Sequence, residues 1–464
     1  MPRPNILILY TDQQRWDALG ANGDPEIKTP NLDRLASQGI NFPRFFVQNP
    51  VCMPSRVSLL SSRYPSSLGI YQNGTTVPSD TLVLPMMLSN YGYHSANLGK
   101  LHFLPHANRD HADPHPPYGF DTLAISDEPG CYDDAYRAWV RNRAPDQLDH
   151  ISVGLPPARA QWEAMMGAQP GIAHPDRERQ GAVPFPADDG LTHTAFVANQ
   201  TIEFIRRHRD RPFMAIGGFY SPHSPWVTPQ RFLDLYDPAS LPLPEIPEGW
   251  QAPGNRAPVA EDELRSIRQG YYGMVSEVDH YVGQILDCLD AEGLAENTIV
   301  IFTSDHGEYL GDYHMFGKGA PGMDCISRVP FVVRWPAGAE RGLTHEGIVE
   351  AVDVVPALLE ACGIPIPPSV QGRSLLPAVR GESDPGRDCA LTEAVRTRSI
   401  RTEGHRYVID RDGRETLHDL SRDPNAYINV AQESAYASVL AEHRRMLLEK
   451  LFETCTPLRR EWAY

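Results

Sequence analysis

The sequence has no apolar run long enough to cross a bilayer, so a membrane-spanning helix is not expected. It also lacks paired cysteines. The seven are scattered at 52, 131, 288, 325, 362, 389 and 455, odd in number and without a Cys-x-x-Cys element. That pattern excludes a disulfide framework and zinc ribbons, and most of the thiols are expected to be reduced and buried. Positive charge is in deficit: 42 Lys and Arg face 59 Asp and Glu, for a net charge of −17. A nucleic acid or other polyanion is therefore not the expected partner. A small anionic substrate would need locally concentrated cations and a metal. Internal repeats are absent. The opening Met-Pro-Arg-Pro-Asn runs straight into an apolar stretch without a signal-peptide pattern, which gives a cytoplasmic protein as the expectation.

What is present reads as alternating buried strands and helices. Asn5-Ile6-Leu7-Ile8-Leu9-Tyr10 is a continuous apolar run, the pattern of a strand covered on both faces, and it ends in Thr11-Asp12-Gln13-Gln14. Polar groups at the carboxyl end of such a strand lie where open α/β sheets bind ligands. Thr29-Pro30-Asn31-Leu32 opens a short helix that closes at Gly39. Residues 40–47 read as a strand, 82–91 as a helix, and 95–98 as a strand delivering Gly99-Lys100-Leu101-His102. From 104 to 189 the periodicity fades, and the segment is expected to be lid-like, with short helices near 133–142 and 159–166. A helix at 194–207 and a strand at 213–219 follow, ending at Tyr220-Ser221-Pro222-His223. A long amphipathic helix carrying Leu264, Ile267, Tyr271, Met274, Val278, Val282, Ile285 and Leu289 leads to a strand at 298–302. Ser304-Asp305-His306-Gly307-Glu308 comes next, then a strand at 329–335 and a helix at 353–361. The fold class expected is α/β, a doubly wound, mostly parallel sheet over residues 1–382. Shorter strands near 399–401, 406–409 and 416–419, with a helix at 433–451, predict a smaller α+β domain over 383–464.

Three groups carry candidate chemistry. Asp12 and Gln13 follow one buried strand and Asp305 and His306 another, so adjacent parallel strands would gather them at one sheet edge. Carboxylate, amide and imidazole donors suit a hard or borderline divalent cation. Lys100, His102, His223 and Lys318 all fall after strands or in glycine-rich loops, where preset cations serve a tetrahedral anion; taken singly, each is an ordinary solvated loop residue. Cys52 stands before Met53-Pro54-Ser55-Arg56 at an expected helix start. It is open to three readings: a buried small residue, a catalytic thiol of depressed pKa beside Arg56, or a nucleophile precursor that is chemically modified.

Cys52-x-Pro54-Ser55-Arg56, followed by Ser61-Ser62-Arg63, resembles the signature of type I sulfatases of the alkaline-phosphatase superfamily. The likeness extends over Thr29 to Leu35, Gly99 to His102, Ser221-Pro222-His223, Ser304 to Glu308, Phe316-Gly317-Lys318 and Leu417 to Pro424. It implies oxidation of Cys52 to formylglycine (3-oxoalanine) by a formylglycine-generating enzyme, and one divalent ion, Ca2+ first and Mn2+ second, held by Asp12, Gln13, residue 52, Asp305 and His306. It further implies hydrolysis of sulfate monoesters in the arylsulfatase manner, the aldehyde hydrate attacking sulfur to give a covalent sulfate hemiacetal. Arg56 and Lys100 would hold the diol, Lys318 and His223 the sulfate and leaving oxygen, and His102 would accept the proton that releases sulfate. Asp12-Gln13 with Asp305-His306 looks more like the phosphonate monoester hydrolase and choline-sulfatase branches, and Tyr71-Gln72-Asn73-Gly74 resembles the former, where the Asn contacts the substrate anion. Phosphonate monoester or phosphodiester hydrolysis is therefore the second function, and an unmodified, inactive metal-binding relative the third. The C-terminal helix and the aromatic end Trp462-Ala463-Tyr464 are read as a surface for a second subunit.

Overall fold

The computed structural model describes residues 3–105, 111, 113–152, 181–251, 258–319, 322–336, 341–382 and 384–455. The expected helix at 159–166 and the end at Trp462–Tyr464 lie outside the described residues. One eight-stranded sheet dominates. Across the sheet its strands are Leu343–Thr344, Ile40–Asn41, Phe331–Arg334, Thr298–Ser304, Asn5–Thr11, Phe213–Gly218, His94–Gly99 and Thr122–Ile125. Only Phe331–Arg334 runs against the rest of this sheet.

Asn5–Thr11 and Thr298–Ser304 are buried throughout, which their unbroken apolar sequences require. Their side chains alternate between two cores. Ile6, Ile8 and Tyr10 face Val57, Leu60 and Leu358 on one side; Leu7 and Leu9 face Leu35, Phe196, Val278 and Ile285 on the other. Burying each such aliphatic side chain contributes roughly 1.5–3 kcal/mol, so both layers are held by the same strands. The helices His193–His208, Glu261–Ala291 and Pro30–Gln38 cover the second face. The helix Cys52–Ser61 lies on the first face, every residue of it buried.

Register then decides what emerges at the carboxyl edge. Thr11 pairs with Ser304 and Tyr10 with Gly218, while Gly99 also pairs with Gly218. Asp12 and Asp305 therefore leave adjacent strands side by side, and Lys100 leaves at the same edge one strand further on, beyond Phe213–Gly218. The approach is tight: a Cβ on Gly218 would fall 2.2 Å from the Lys100 carbonyl oxygen, so only glycine fits there.

Two expectations need correcting. The single strand at 40–47 is two short pieces, Ile40–Asn41 in the large sheet and Phe45–Phe46 paired with Val349–Glu350. Pro43, which has no N–H to give, falls between them. In the 104–189 segment, expected to be lid-like with short helices, Thr122–Ile125 forms the sheet edge, parallel to His94–Gly99. It is half-buried rather than buried, so it carries no apolar run. The helix expected near 133–142 is Ala135–Arg143, capped by the Asp134 side chain accepting from Arg137 N at 3.0 Å.

Toward the C-terminus, Ala390–Glu393, Thr397–Arg401, His405–Asp410 and Glu415–Asp419 form an antiparallel sheet, followed by the helix Ala437–Thr454. Leu391, Ile400, Tyr407, Leu417 and Leu447 share a core with Tyr64 and Val352 of the preceding part. All seven cysteines are free; five are buried, Cys131 is half-buried and Cys455 exposed. No helix among the described residues is long and apolar enough to cross a membrane.

Glu277, inside the long helix, gives a test of this packing. Burial, partly offset by bonds from Thr192 and Thr228, pushes its carboxyl up to about 7. The folded chain thus holds this proton more tightly than the unfolded chain, where Glu titrates near its ordinary value of 4.5. Ionising Glu277 destabilises the fold, an effect that grows as pH rises from about 4.5 and is complete above about 7. Glu277→Gln is expected to raise the urea midpoint at pH 8, corresponding to an unfolding free energy larger by something on the order of 2 kcal/mol, and to change it little at pH 4. Equal midpoints at both pH values would show that Glu277 ionises freely in the folded state.

Candidate active site

Cys52 opens its helix, with Val51 at the cap position supplying no side-chain bond. Asn73 supplies one from outside, its Oδ1 accepting from Met53 N at 3.0 Å. Cys52 itself is 1 % exposed. Its Sγ lies 2.7 Å from Lys318 Nζ, 3.3 Å from His306 Nε2 and 3.7 Å from Asp12 Oδ1. Arg56 does not face the sulfur. Its Nε donates to Asp305 Oδ2 at 2.7 Å and its Nη1 to the Lys100 carbonyl at 3.0 Å. The low-pKa thiol therefore fails as a reading: burial and then Asp12 push Cys52 up to about 11, against the pull of Lys318. A helix start alone does not lower a thiol's pKa when two buried carboxylates stand beside it.

Those carboxylates belong to a donor set. Asp12, Cys52, Asp305 and His306 are all buried, and each offers a ligand atom within 4.8 Å of the others. His306 Nδ1 donates to the Gly307 carbonyl at 2.8 Å, which leaves Nε2 with its lone pair toward Asp12 Oδ1 at 3.4 Å. Burial keeps that imidazole below its ordinary pKa, neutral as a ligand must be. Gln13 has a left-handed backbone, φ 74°; its main-chain N–H donates to Asp305 Oδ1 at 3.1 Å and its side-chain Nε2 donates to the Glu308 carboxylate. With the NH2 group held by Glu308, the side-chain oxygen of Gln13 is the atom available to a cation. Two carboxylates, a neutral imidazole of fixed tautomer and an amide oxygen fit a hard or borderline divalent ion.

The cations surround this set. Lys100 Nζ is 2.8 Å from Asp12 Oδ2, 3.9 Å from Glu128 Oε1 and 4.7 Å from the centre of the Tyr220 ring. Burial works against its charge, but Asp12 and Glu128 outweigh it and raise its pKa. Asp12 in turn stays well below the usual range: burial opposes ionisation, and Lys100 and Lys318 overcome it. Lys318 Nζ is 2.9 Å from His223 Nε2, whose Nδ1 donates to the Ser224 carbonyl at 2.6 Å. Burial and Lys318 push His223 down to about 3. Lys318, 20 % exposed, and half-buried His223 are on the open side, whereas Arg56 and Lys100 are sealed below. Asn73, exposed, is on the rim.

The structure thus brings together Asp12, Gln13, Cys52, Arg56, Lys100, His223, Asp305, His306 and Lys318, with Asn73 at the helix mouth. His102, 3 % exposed, follows Lys100 in the same turn. Three acids were missed as site residues. Glu308 was visible inside the Ser304–Glu308 motif; it accepts from Gln13, Leu310 N at 3.1 Å and Gly317 N, tying the donor set to the loop of Lys318. Asp127 and Glu128 gave no signal, because the strand that delivers them has no apolar run.

Known proteins share this layout. The family model described as Sulfatase matches residues 4–364, and that of the N-sulphoglucosamine sulphohydrolase C-terminal part matches 311–453. An arylsulfatase of Clostridium perfringens is 29 % identical over 97 % of this chain and 94 % of its own length. An ulvan-active sulfatase of Formosa agariphila is 30 % identical over 97 % and 81 %. Among solved structures, the phosphonate monoester hydrolase of Agrobacterium radiobacter superposes with a TM-score of 0.79 at 26 % identity, covering 97 % of this chain and 96 % of that one. With the family model spanning most of its length, the chain belongs to the sulfatase family of sulfuric ester hydrolases.

Proposed function

We propose that this chain hydrolyses sulfate monoesters of small alcohols or phenols at residue 52, after Cys52 has been converted to formylglycine by a formylglycine-generating enzyme. The observation that carries the reading is the convergence on Cys52 of three other buried metal donors and a lysine: ligand atoms within 4.8 Å of one another, with Lys318 at 2.7 Å. Asp12, Gln13, Asp305 and His306, with residue 52, would hold a divalent ion, Ca2+ first and Mn2+ second. When bound, that ion supplies Lewis acidity at the sulfate oxygens and helps polarise the group at position 52. Formylglycine, once formed, supplies a hydrated aldehyde as the nucleophile.

The chain's own groups divide the remaining work by depth. Arg56 and Lys100, sealed beneath residue 52, fix its orientation and neutralise the two carboxylates. Lys318 and His223 meet the substrate, because they are the cationic and imidazole groups on the open side. With His223 Nδ1–H committed to Ser224, its Nε2 accepts from Lys318, so the proton next to the leaving oxygen is held at Lys318 Nζ. His102 is assigned as the proton acceptor that completes the cycle. Residues 1–382 carry all of these groups in this proposal, with 383–464 as the smaller domain and the described part of 104–189 shaping the pocket for the alcohol.

A second reading, phosphonate monoester or phosphodiester hydrolysis, draws on the pairing of Asp12-Gln13 with Asp305-His306 and on the 26 % identical phosphonate monoester hydrolase structure. Protein co-expressed with a formylglycine-generating enzyme decides both points. The residue 52 peptide is expected to show the mass of an aldehyde or its hydrate, and turnover of an aryl sulfate is expected to exceed that of a phenylphosphonate monoester and a phosphodiester. A free thiol as the sole species would sink the nucleophile assignment. Preference for the phosphorus esters by orders of magnitude would install the second reading.

Lys318→Ala is expected to lower kcat/KM by about 100- to 1000-fold. If the lysine holds the departing proton, the loss is greater for an alkyl than for a nitrophenyl leaving group. An equal loss for both would restrict Lys318 to anion binding. Metal removal gives a readout independent of turnover. Chelation is expected to lower Tm, and Ca2+ or Mn2+ at about 100 times Kd should restore about 2.7 kcal/mol. A Tm indifferent to both ions would exclude the Asp12, Asp305 and His306 group as a metal site.

A further inference from the structure

His102 is the one assigned catalytic residue whose placement the metal cluster does not explain. Its backbone is left-handed, φ 56°, a conformation uncommon for any residue with a Cβ, although histidine adopts it more readily than most. Something must hold it there. One oxygen of a buried carboxylate does: Asp127 Oδ1 accepts from Leu101 N at 2.9 Å and from His102 N at 2.8 Å. Asp127 is 3 % exposed. It arrives there because Thr122–Ile125 runs parallel to His94–Gly99, with Gly99 opposite Ile125, so the two strands end together and release Ser126-Asp127-Glu128 beside Lys100-Leu101-His102. The acid-bearing loop is itself fixed. Ser126 N donates to the Gly99 carbonyl at 3.1 Å, and His193 Nε2 donates to the Ser126 carbonyl at 3.1 Å. Glu128 reaches back toward Lys100 at 3.9 Å.

We propose that Asp127 is a positioning residue for His102: its carboxylate gathers the Leu101 and His102 amides and so fixes the left-handed turn from which the histidine serves the reaction. The inference rests on the sulfatase reading for what His102 does, and on this geometry alone for how His102 is held. It also assigns a purpose to the edge strand: the segment after Phe103 returns to the sheet and supports the reacting turn from behind. The requirement is for an acceptor at a set distance, not for a charge. Asparagine meets it, alanine does not, and glutamate moves the acceptor out by one methylene.

The test compares Asp127→Asn, Asp127→Ala and His102→Ala, singly and as the Ala double variant, in formylglycine-bearing protein. Asp127→Ala is expected to lower kcat roughly 100-fold with KM nearly unchanged, Asp127→Asn to keep most of the rate, and Asp127→Ala to cost nothing further once His102 is Ala. Wild-type kcat in Asp127→Ala, an equal loss in Asp127→Asn, or losses that multiply in the double variant would each overturn the proposal. If Asp127→Ala does not fold, Asp127→Glu replaces it with the same expectation. Should the wild type turn over neither sulfate nor phosphorus esters, the functional reading fails, but histidine-selective 15N spectra still decide this one. The His102 imidazole signal should move in Asp127→Ala (or Asp127→Glu) and stay in Asp127→Asn; a signal unmoved in both would refute the positioning role.

Discussion

The Asp12 and Asp305 carboxylates are both fully buried, and the rest of the site is arranged to make that tolerable. An ionised carboxylate away from water is strongly unfavourable unless paired and hydrogen-bonded. Asp305 is paired with Arg56 at 2.7 Å and Asp12 with Lys100 at 2.8 Å. Those cations are sealed in as well, so each has its own support: Arg56 lies 4.6 Å from the Tyr10 ring centre and donates to the Lys100 carbonyl, and Lys100 faces Tyr220. Buried ion pairs of this kind add little net stability compared with well-packed apolar groups. Their expense in desolvation fits the proposed role of the two carboxylates, which with Cys52 and His306 form a buried group of potential metal donors. The arrangement depends on one register, Thr11 opposite Ser304, because a slip of one residue would turn one acid away from the other.

The parts of this that were legible in the sequence are those encoded in strong local signals. Asn5–Thr11, Phe213–Gly218 and Thr298–Ser304 are apolar runs that end in polar residues, and a parallel sheet with ligands at its carboxyl edge follows from them. The donors and cations at those ends could accordingly be named from sequence. Where local signals were weak or misleading, the reading stopped short. Thr122–Ile125 is half-buried with no apolar run, so neither the strand nor Asp127 and Glu128 behind it was visible. An activated thiol stood among the three readings of Cys52 because a helix start and an arginine are local features, whereas the carboxylates that oppose ionisation come from residues 40 and 253 positions away. Asn73 was read as an anion contact; the structure commits its oxygen to the Met53 amide, and its remaining NH2 faces are the part still suited to an anion.

The C-terminal sheet is tied to the nucleophile helix by more than shared apolar contact. Glu393 N donates to the Gln48 carbonyl at 2.7 Å, and Asn49 Nδ2 donates to the Glu393 carbonyl at 2.6 Å and the Tyr71 carbonyl at 3.0 Å. The Glu393 carboxylate accepts from Ser66 N at 3.0 Å and pairs with Arg398, which lies over the Tyr71 ring at 4.9 Å. One strand residue thus joins the segment before the helix Cys52–Ser61, the segment after it, and the loop that carries Asn73. The loop that carries Asn73 in turn meets the helix start, where Asn73 Oδ1 accepts from Met53 N at 3.0 Å, so the C-terminal sheet is connected to the surroundings of residue 52.

The charge pattern also bears on which chemistry the pocket accepts. A thiolate at Cys52 would be a third anion within 4.8 Å of the ligand atoms of two carboxylates, and burial and Asp12 accordingly hold its pKa up to about 11. With a divalent cation among those donors and a neutral oxygen nucleophile at position 52, the balance reverses. The two acids are then offset by the ion, and Arg56, Lys100 and Lys318 remain as a positive lining for an incoming tetrahedral anion. That lining is asymmetric in depth: the two sealed cations are fixed, while Lys318 and His223 meet solvent. In the proposed reaction, an ester that enters from the open side would place its anionic oxygens against the sealed wall and its leaving oxygen toward Lys318. A monoanionic sulfate and a monoanionic phosphonate monoester satisfy this equally in charge. They differ in one substituent that does not leave, a third terminal oxygen on sulfur and a carbon group on phosphorus, so discrimination between them falls to whichever side chains meet that position.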